Sequence, residues 1–145
     1  MASPRPDFNN RSVAHGNWGE NVATDFLRLH GYEILERNSR PCRFDHRLEI
    51  DIVAYEISTD TLVFVEVKQH SARSGTQRRL RSVNRNKRKN LRVAFNTWRR
   101  ANAWETGYRF DVIEIYGTPL TANPEIDHIQ NIQLFTPQQK FVKWD

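Results

Sequence analysis

The stretch "LEIDIVAYEISTDTLVFVEVKQHS", residues 48–71, decides the fold. Its two apolar runs are about as long as ordinary strands, and "ISTDT" between them reads as a turn. In the first run Leu48, Ile50, Ile52 and Ala54 alternate with Glu49, Asp51, Val53 and Tyr55, the period of a strand. In the second, "LVFVEVKQ" is nearly continuous in apolar residues, as expected of a strand covered on both faces. Glu66 and Lys68 leave that second strand on one face. They read either as an ion pair at a sheet edge or as groups that hold a metal and a water.

Working outward, "HGNWGENVATDFLRLH" (15–30) reads as a helix with Trp18, Val22, Phe26 and Leu29 at helical spacing, and Gly31 as its stop. "YEILERN" is a short strand. A helix is expected from about Arg78 to Asn102, on a seam of Leu80, Val83, Lys87, Leu91, Ala94, Trp98 and Ala101. "YRFDVIEIY" and "IDHIQNIQLF" supply further strands. The order α–β–β–β–α–β–β predicts an α/β fold, a central mixed β-sheet flanked by α-helices. Residues 1–14 read as a flexible arm, 15–135 as one domain and 136–145 as a tail.

Composition narrows the function. No apolar segment is long enough to span a bilayer, so no membrane partner is expected. The single cysteine, Cys42, gives no disulfide framework and suits a reducing cytoplasm. Net charge is +5, but half of the 22 basic residues lie between Ser71 and Trp104, where there is no acid. The remainder holds the other 11 against 17 acidic residues. A basic block beside an acidic cluster suits a polyanion held against a cation site; a solvated charged helix is the plainer reading.

Four groups are candidates to converge. Asp51 and Glu66 lie on successive strands, which usually pair. At similar height they could share a hard cation such as Mg²⁺, which takes one or two carboxylates, waters and phosphate oxygens. Glu49 falls on the Asp51 face as a supporting acid. Lys68, two residues after Glu66, would orient a water or stabilise charge on a phosphate. Glu20 projects beside Leu27 at the rim of the first helix's buried stripe and could reach the same site; otherwise it serves the helix dipole. Lys87 sits in an apolar seam, which is costly unless its head reaches water, an anion or a carboxylate. Together with Lys87, Arg78, Arg81, Arg85, Arg88 and Lys89 are expected to meet a nucleic-acid backbone. The five histidines show no ligand spacing and read as surface or capping residues. Phe95, Trp98 and Trp104 are candidates to stack on bases, with core packing favoured for Trp98.

Taken together, "GNWGENVATDFLRLHGYEILERN", "EIDIVAYE", "LVFVEVKQHS", the helical Val83…Lys87…Leu91 and "RFDVIEI" resemble the UPF0102 (YraN-like) family over roughly 15–135. That family is placed with the restriction-endonuclease-like PD-(D/E)xK nucleases and is similar to archaeal Holliday-junction resolvases. The resemblance implies a restriction-endonuclease-like core and a metal-dependent endonuclease acting on DNA, branched or structured DNA included. By resemblance Asp51, Glu66 and Lys68 match the catalytic motif, Glu20 the helical glutamate and Lys87 the recurrent lysine of the later helix. The reading that follows makes Asp51, Glu66, Lys68 and Glu20 the catalytic set, with Mg²⁺ or Mn²⁺ on Asp51 and Glu66 and the Val67 carbonyl completing the protein ligands. A homodimer is an option by analogy with resolvases, which cut two strands symmetrically. A non-catalytic nucleic-acid-binding module and a protein-interaction domain using the basic helix are the rival readings. Leu48 stands where the family usually has Gly, and the loop before it, with Pro41 and Phe44, looks longer. The entrance to the site is therefore expected to differ.

Overall fold

The structure, a computed structural model, describes residues 18–42, 45, 48–72 and 85–134, without the side chains of Arg85 and Asn86. The expected arm 1–14, the tail 136–145, Phe44, and Leu80, Val83, Arg78 and Arg81 of the long helix lie outside the described residues.

Helix α1 spans Trp18–Leu29. Gly31, at φ +85°, takes the left-handed conformation that turns the chain out of it. Strands β1 (Tyr32–Ser39), β2 (Ile50–Glu56) and β3 (Thr61–His70) follow. Helix α2 (Arg85–Ala101) leads to β4 (Tyr108–Tyr116) and β5 (Glu125–Ile129). The five strands form one sheet in sequence order. All neighbours are antiparallel except β3 and β4, which α2 connects as a parallel pair. The sheet is therefore mixed and helix-flanked, as the sequence order predicts. No helix among the described residues is long and apolar enough to cross a membrane.

Each face of the sheet carries its own core. On the α1 side Ala23 and Leu27 meet Ile52, Ala54, Val63, Val65, Ile113 and Ile115. On the α2 side Leu91, Ala94, Phe95 and Trp98 meet Val53, Leu62, Phe64 and Val112. Strand β3 thus alternates between two buried layers, which explains its unbroken apolar run. Phe64 and Phe95 stack with ring centroids 4.2 Å apart and planes 2° from parallel.

Several expectations need correction. The buried face of α1 is Gly19, Glu20, Ala23, Thr24 and Leu27, and Leu29 is 84% exposed. Small residues at Gly19 and Ala23 let the helix backbone approach the sheet, so its largest apolar residues flank the contact instead of centring it. Leu48 and Ile50 pack with Val53 and Tyr55, not with Ile52 and Ala54. Alternation in this segment breaks around Asp51, where the β2–β3 ladder stops. Ala101 of the proposed α2 seam is exposed. Phe95 and Trp98 are core residues, each 1% exposed, so neither is placed to stack on a base. Trp104 is partly buried against the same core, edge-on to Tyr55.

Candidate metal and phosphate site

The β2–β3 ladder pairs Glu56 with Thr61 and continues to Ile52 with Val65. The next rung would set Asp51 against Glu66, but the pairing ends there. Instead the Val67 N–H donates to Asp51 Oδ2 at 2.9 Å. The side chain thus satisfies a donor that a β2 carbonyl would otherwise accept. A strand residue turns its N–H and C=O to the same edge. The Val67 carbonyl therefore faces the gap that β2 leaves, beside Asp51.

Asp51 and Glu66 come close enough to feel each other's charge. Burial first, then the Glu66 charge, pushes the Asp51 carboxyl up to about 8; the Val67 N–H opposes this, and the Glu20 charge adds to it. The Asp51 carboxyl is thus the member of the pair whose charge is costly here. Glu66 is itself 5% exposed. Its Oε1 meets Lys68 Nζ at 3.3 Å and Lys87 Nζ at 3.2 Å. Lys68 reaches it from the same face of β3, Lys87 from the first turn of α2. The head of Lys87 thus reaches a buried carboxylate, one of the outlets that its place in an apolar seam calls for.

Glu20 is buried in the first turn of α1. Arg37 Nη2 lies 3.9 Å from its Oε2 and donates to Asn21 Oδ1 at 2.8 Å. A bulge at Leu35 makes this possible, because it shifts the β1 register between Ile34 and Glu36 and turns Arg37 toward α1. The Asn38 amide nitrogen, oriented by its hydrogen-bonding surroundings, lies 2.8 Å from Glu20 Oε1 and 3.1 Å from Glu49 Oε1. Glu49 also accepts from Arg40 at 3.3 Å. Asn38 thus bridges Glu20 and Glu49, and the Glu20 charge reaches Asp51.

Among the described residues no three His, Cys, Asp or Glu side chains gather as a metal cage. Two carboxylates with a backbone carbonyl and open coordination still fit a hard divalent ion, which takes its other oxygens from water and phosphate. The raised Asp51 carboxyl is the sign of charge that such an ion would neutralise.

On the basic helix, Lys89 is exposed and Arg88 half-buried. Arg85 opens α2, but its side chain lies outside the described residues, as Arg78 and Arg81 do.

Two further acidic sites escaped the sequence reading. Asp111, fully buried in β4, accepts Arg109 Nε and Nη2 at 2.8 and 2.9 Å, pairs with His128 at 2.7 Å and accepts the Asn131 N–H at 2.9 Å. Burial works against its charge, but these partners together hold its carboxyl below the usual range. Glu114, 1% exposed on β4, pairs with His70 at 3.1 Å. His70 and His128 are thus partners of buried acids, not the surface or capping residues expected. His30, which bonds the Phe26 carbonyl oxygen at 2.7 Å, does cap its helix. His15 and His46 lie outside the described residues. The available signal was the acid inside an apolar strand, in "RFDVIEI" as in "VFVEVK".

Fold and site together define a class: an α/β protein whose mixed sheet brings two acids and a lysine from adjacent strands to one end, under a basic helix. The chain belongs to the UPF0102 family. The model of that family, described as "Uncharacterised protein family UPF0102", matches residues 19–115. A UPF0102 protein of Caldicellulosiruptor saccharolyticus is 40% identical over 80% of this chain and 93% of its own length. One from Pelobacter propionicus is 42% identical over 79% of this chain and 76% of its own. One from Mycobacterium bovis is 35% identical over 83% and 92%.

Proposed function

We propose that this protein is a divalent-metal-dependent endonuclease that hydrolyses phosphodiester bonds of DNA. The observation that carries the reading is the meeting of Asp51 and Glu66 where the β2–β3 ladder opens, with Lys68 on the same Glu66 oxygen as Lys87. The arrangement matches the restriction-endonuclease-like pattern that the sequence resembles.

In this reading Asp51, Glu66 and the Val67 carbonyl hold Mg²⁺ or Mn²⁺. A bound ion supplies Lewis-acid polarisation of the scissile phosphate and a more acidic water. Lys68 leaves Glu66 to donate to the phosphate oxygens, where negative charge builds as water adds opposite the leaving oxygen. Lys87 serves the neighbouring phosphate charge from α2. Glu20, braced by Arg37 and Asn38, orders solvent behind Asp51. Lys89 and Arg88, with Arg85, Arg81 and Arg78, hold the flanking backbone, so binding weakens steeply with salt.

A non-catalytic DNA-binding module is the second reading. Two ammonium groups already balance Glu66 without a metal, which favours it. One experiment separates the two: incubation of linear, flapped and four-way DNA with Mg²⁺ or Mn²⁺, wild type against Asp51→Ala. The nuclease reading expects metal-dependent cleavage by the wild type alone. Equal behaviour of both proteins, with binding intact, assigns the binding module.

A further inference from the structure

The face of β3 that carries Glu66 and Lys68 continues to His70. The parallel register sets Lys68 beside Glu114 and His70 beside Tyr116 on β4. Glu114 is 1% exposed, and a buried carboxylate is costly without a partner. His70 Nε2 supplies it at 3.1 Å from Glu114 Oε1. The imidazole also stacks on Tyr116, with ring centroids 5.1 Å apart and planes 22° from parallel. The Gly117 N–H bonds the His70 carbonyl at 2.8 Å, pinning the backbone beneath. The ring is thus fixed by an acid, an aromatic face and its own strand, while its side chain stays 29% exposed. Its other nitrogen, Nδ1, makes no hydrogen bond among the described residues.

We propose that His70, held by Glu114, binds a backbone phosphate of the nucleic acid next to the one that Lys68 meets, and so sets the register of the strand in the site. This rests on the reading of the Asp51–Glu66 end of the sheet as a phosphodiester site. Same-face neighbours on a strand are about 6.6 Å apart. That step is comparable to the spacing of successive phosphates along one nucleic-acid strand. Between a buried carboxylate and a phosphate, the doubly protonated ring is the form that satisfies both, donating from Nε2 to Glu114 and from Nδ1 to the phosphate. Lys87, Lys68 and His70 then form one cationic strip along the path of the backbone, with Glu114 fixing its far end.

The test is equilibrium binding of a fluorescent DNA duplex and four-way junction in EDTA across a salt series. The parent is Asp51→Asn, so nothing is cut. Adding His70→Ala is expected to lower the slope of log affinity against log salt by about 0.9, one phosphate contact, and to weaken low-salt binding roughly threefold to tenfold. His70→Gln, which keeps a hydrogen bond to Glu114 without the charge, should lose the same slope with the thermal melt intact. His70→Arg should restore the slope. If the parent binds and both His70→Ala and His70→Gln keep its slope and affinity, the phosphate role of His70 is overturned and the nuclease reading stands. A parent that binds no DNA at low salt overturns both.

Discussion

Asp51 Oδ2 accepts the Val67 N–H at 2.9 Å, at the rung where β2 should meet β3 through backbone atoms. That exchange of a carbonyl for a carboxylate ends the ladder one residue early. It also leaves the Val67 carbonyl and the Asp51–Glu66 pair facing the same gap. The local irregularity of the sheet and the proposed chemistry thus have one origin.

The first prediction concerns that carboxylate without metal. The Asp51 carboxyl sits near 8, against an unfolded value of about 3.9. The folded chain then keeps a proton across this window that the unfolded chain releases. Stability should therefore fall as pH rises from about 4 to 8. Asp51→Asn keeps an acceptor for Val67 and cannot ionise. In EDTA it should flatten the dependence and exceed the wild type at pH 9 by about 1–3 kcal/mol in urea unfolding. Wild-type stability that climbs over the same range contradicts the raised Asp51 carboxyl.

Lys68 and Lys87 stand on one oxygen of Glu66, so their loss should not be additive. Lys68→Gln and Lys87→Gln should each cost less than about 1 kcal/mol, because either head is partly exposed and the other remains. The double variant should cost more than the sum. Cleavage should divide them differently: Lys68→Gln should lower kcat by roughly 10²–10³-fold, and Lys87→Gln by less. Denaturant midpoints and single-turnover rates measure the two effects. Equal kinetic losses would remove the distinction between the lysines.

On the opposite face of β4, level with Val65, Asp111 has its folded carboxyl below the ordinary value. Its contribution is present above about pH 3.9 and is lost as pH falls through the folded value. Asp111→Asn should destabilise the protein by about 3–5 kcal/mol at neutral pH, since Arg109 and His128 lose their buried partner. The gap from wild type should narrow in acid. Urea midpoints from pH 7 to pH 3 check this; a constant gap would show that packing, not charge, is lost.

Phe95 offers a test of the core assignment. Its ring lies on Phe64 and is 1% exposed. Phe95→Ala should cost about 3–5 kcal/mol of stability. DNA affinity of the folded fraction, measured well below the melting temperature, should stay unchanged. Weakened binding without loss of stability would return Phe95 to the role of a base-stacking residue.

Much of this was legible in the sequence. Period-two alternation placed Glu66 with Lys68, and the short turn set β2 against β3, so the Asp51–Glu66 meeting followed from local rules. The place of Lys87 in an apolar seam marks it as needing a polar outlet, and Glu66 is one that it reaches. What local rules missed is long-range or irregular. Alternation could not foresee the break at Asp51 that turns Leu48 and Ile50 into the other core. A hydrophobicity pattern weights large residues, so it centred α1 on Trp18, Val22, Phe26 and Leu29. The sheet instead accepts the side where Gly19 and Ala23 allow close approach. His70 and His128 meet acids 44 and 17 residues away, separations no spacing rule covers. The bulge at Leu35, which aims Arg37 at Glu20, has no mark in "YEILERN".

The central claim is that Asp51 and Glu66 hold one divalent ion. Calorimetric titration of the metal-free protein with Mn²⁺ and Mg²⁺ tests it most directly, for wild type, Asp51→Asn and Glu66→Gln. The account predicts one ion per wild-type chain and at least a tenfold loss of affinity in each variant. A wild type that binds no ion, or variants that bind as well as it does, would contradict it.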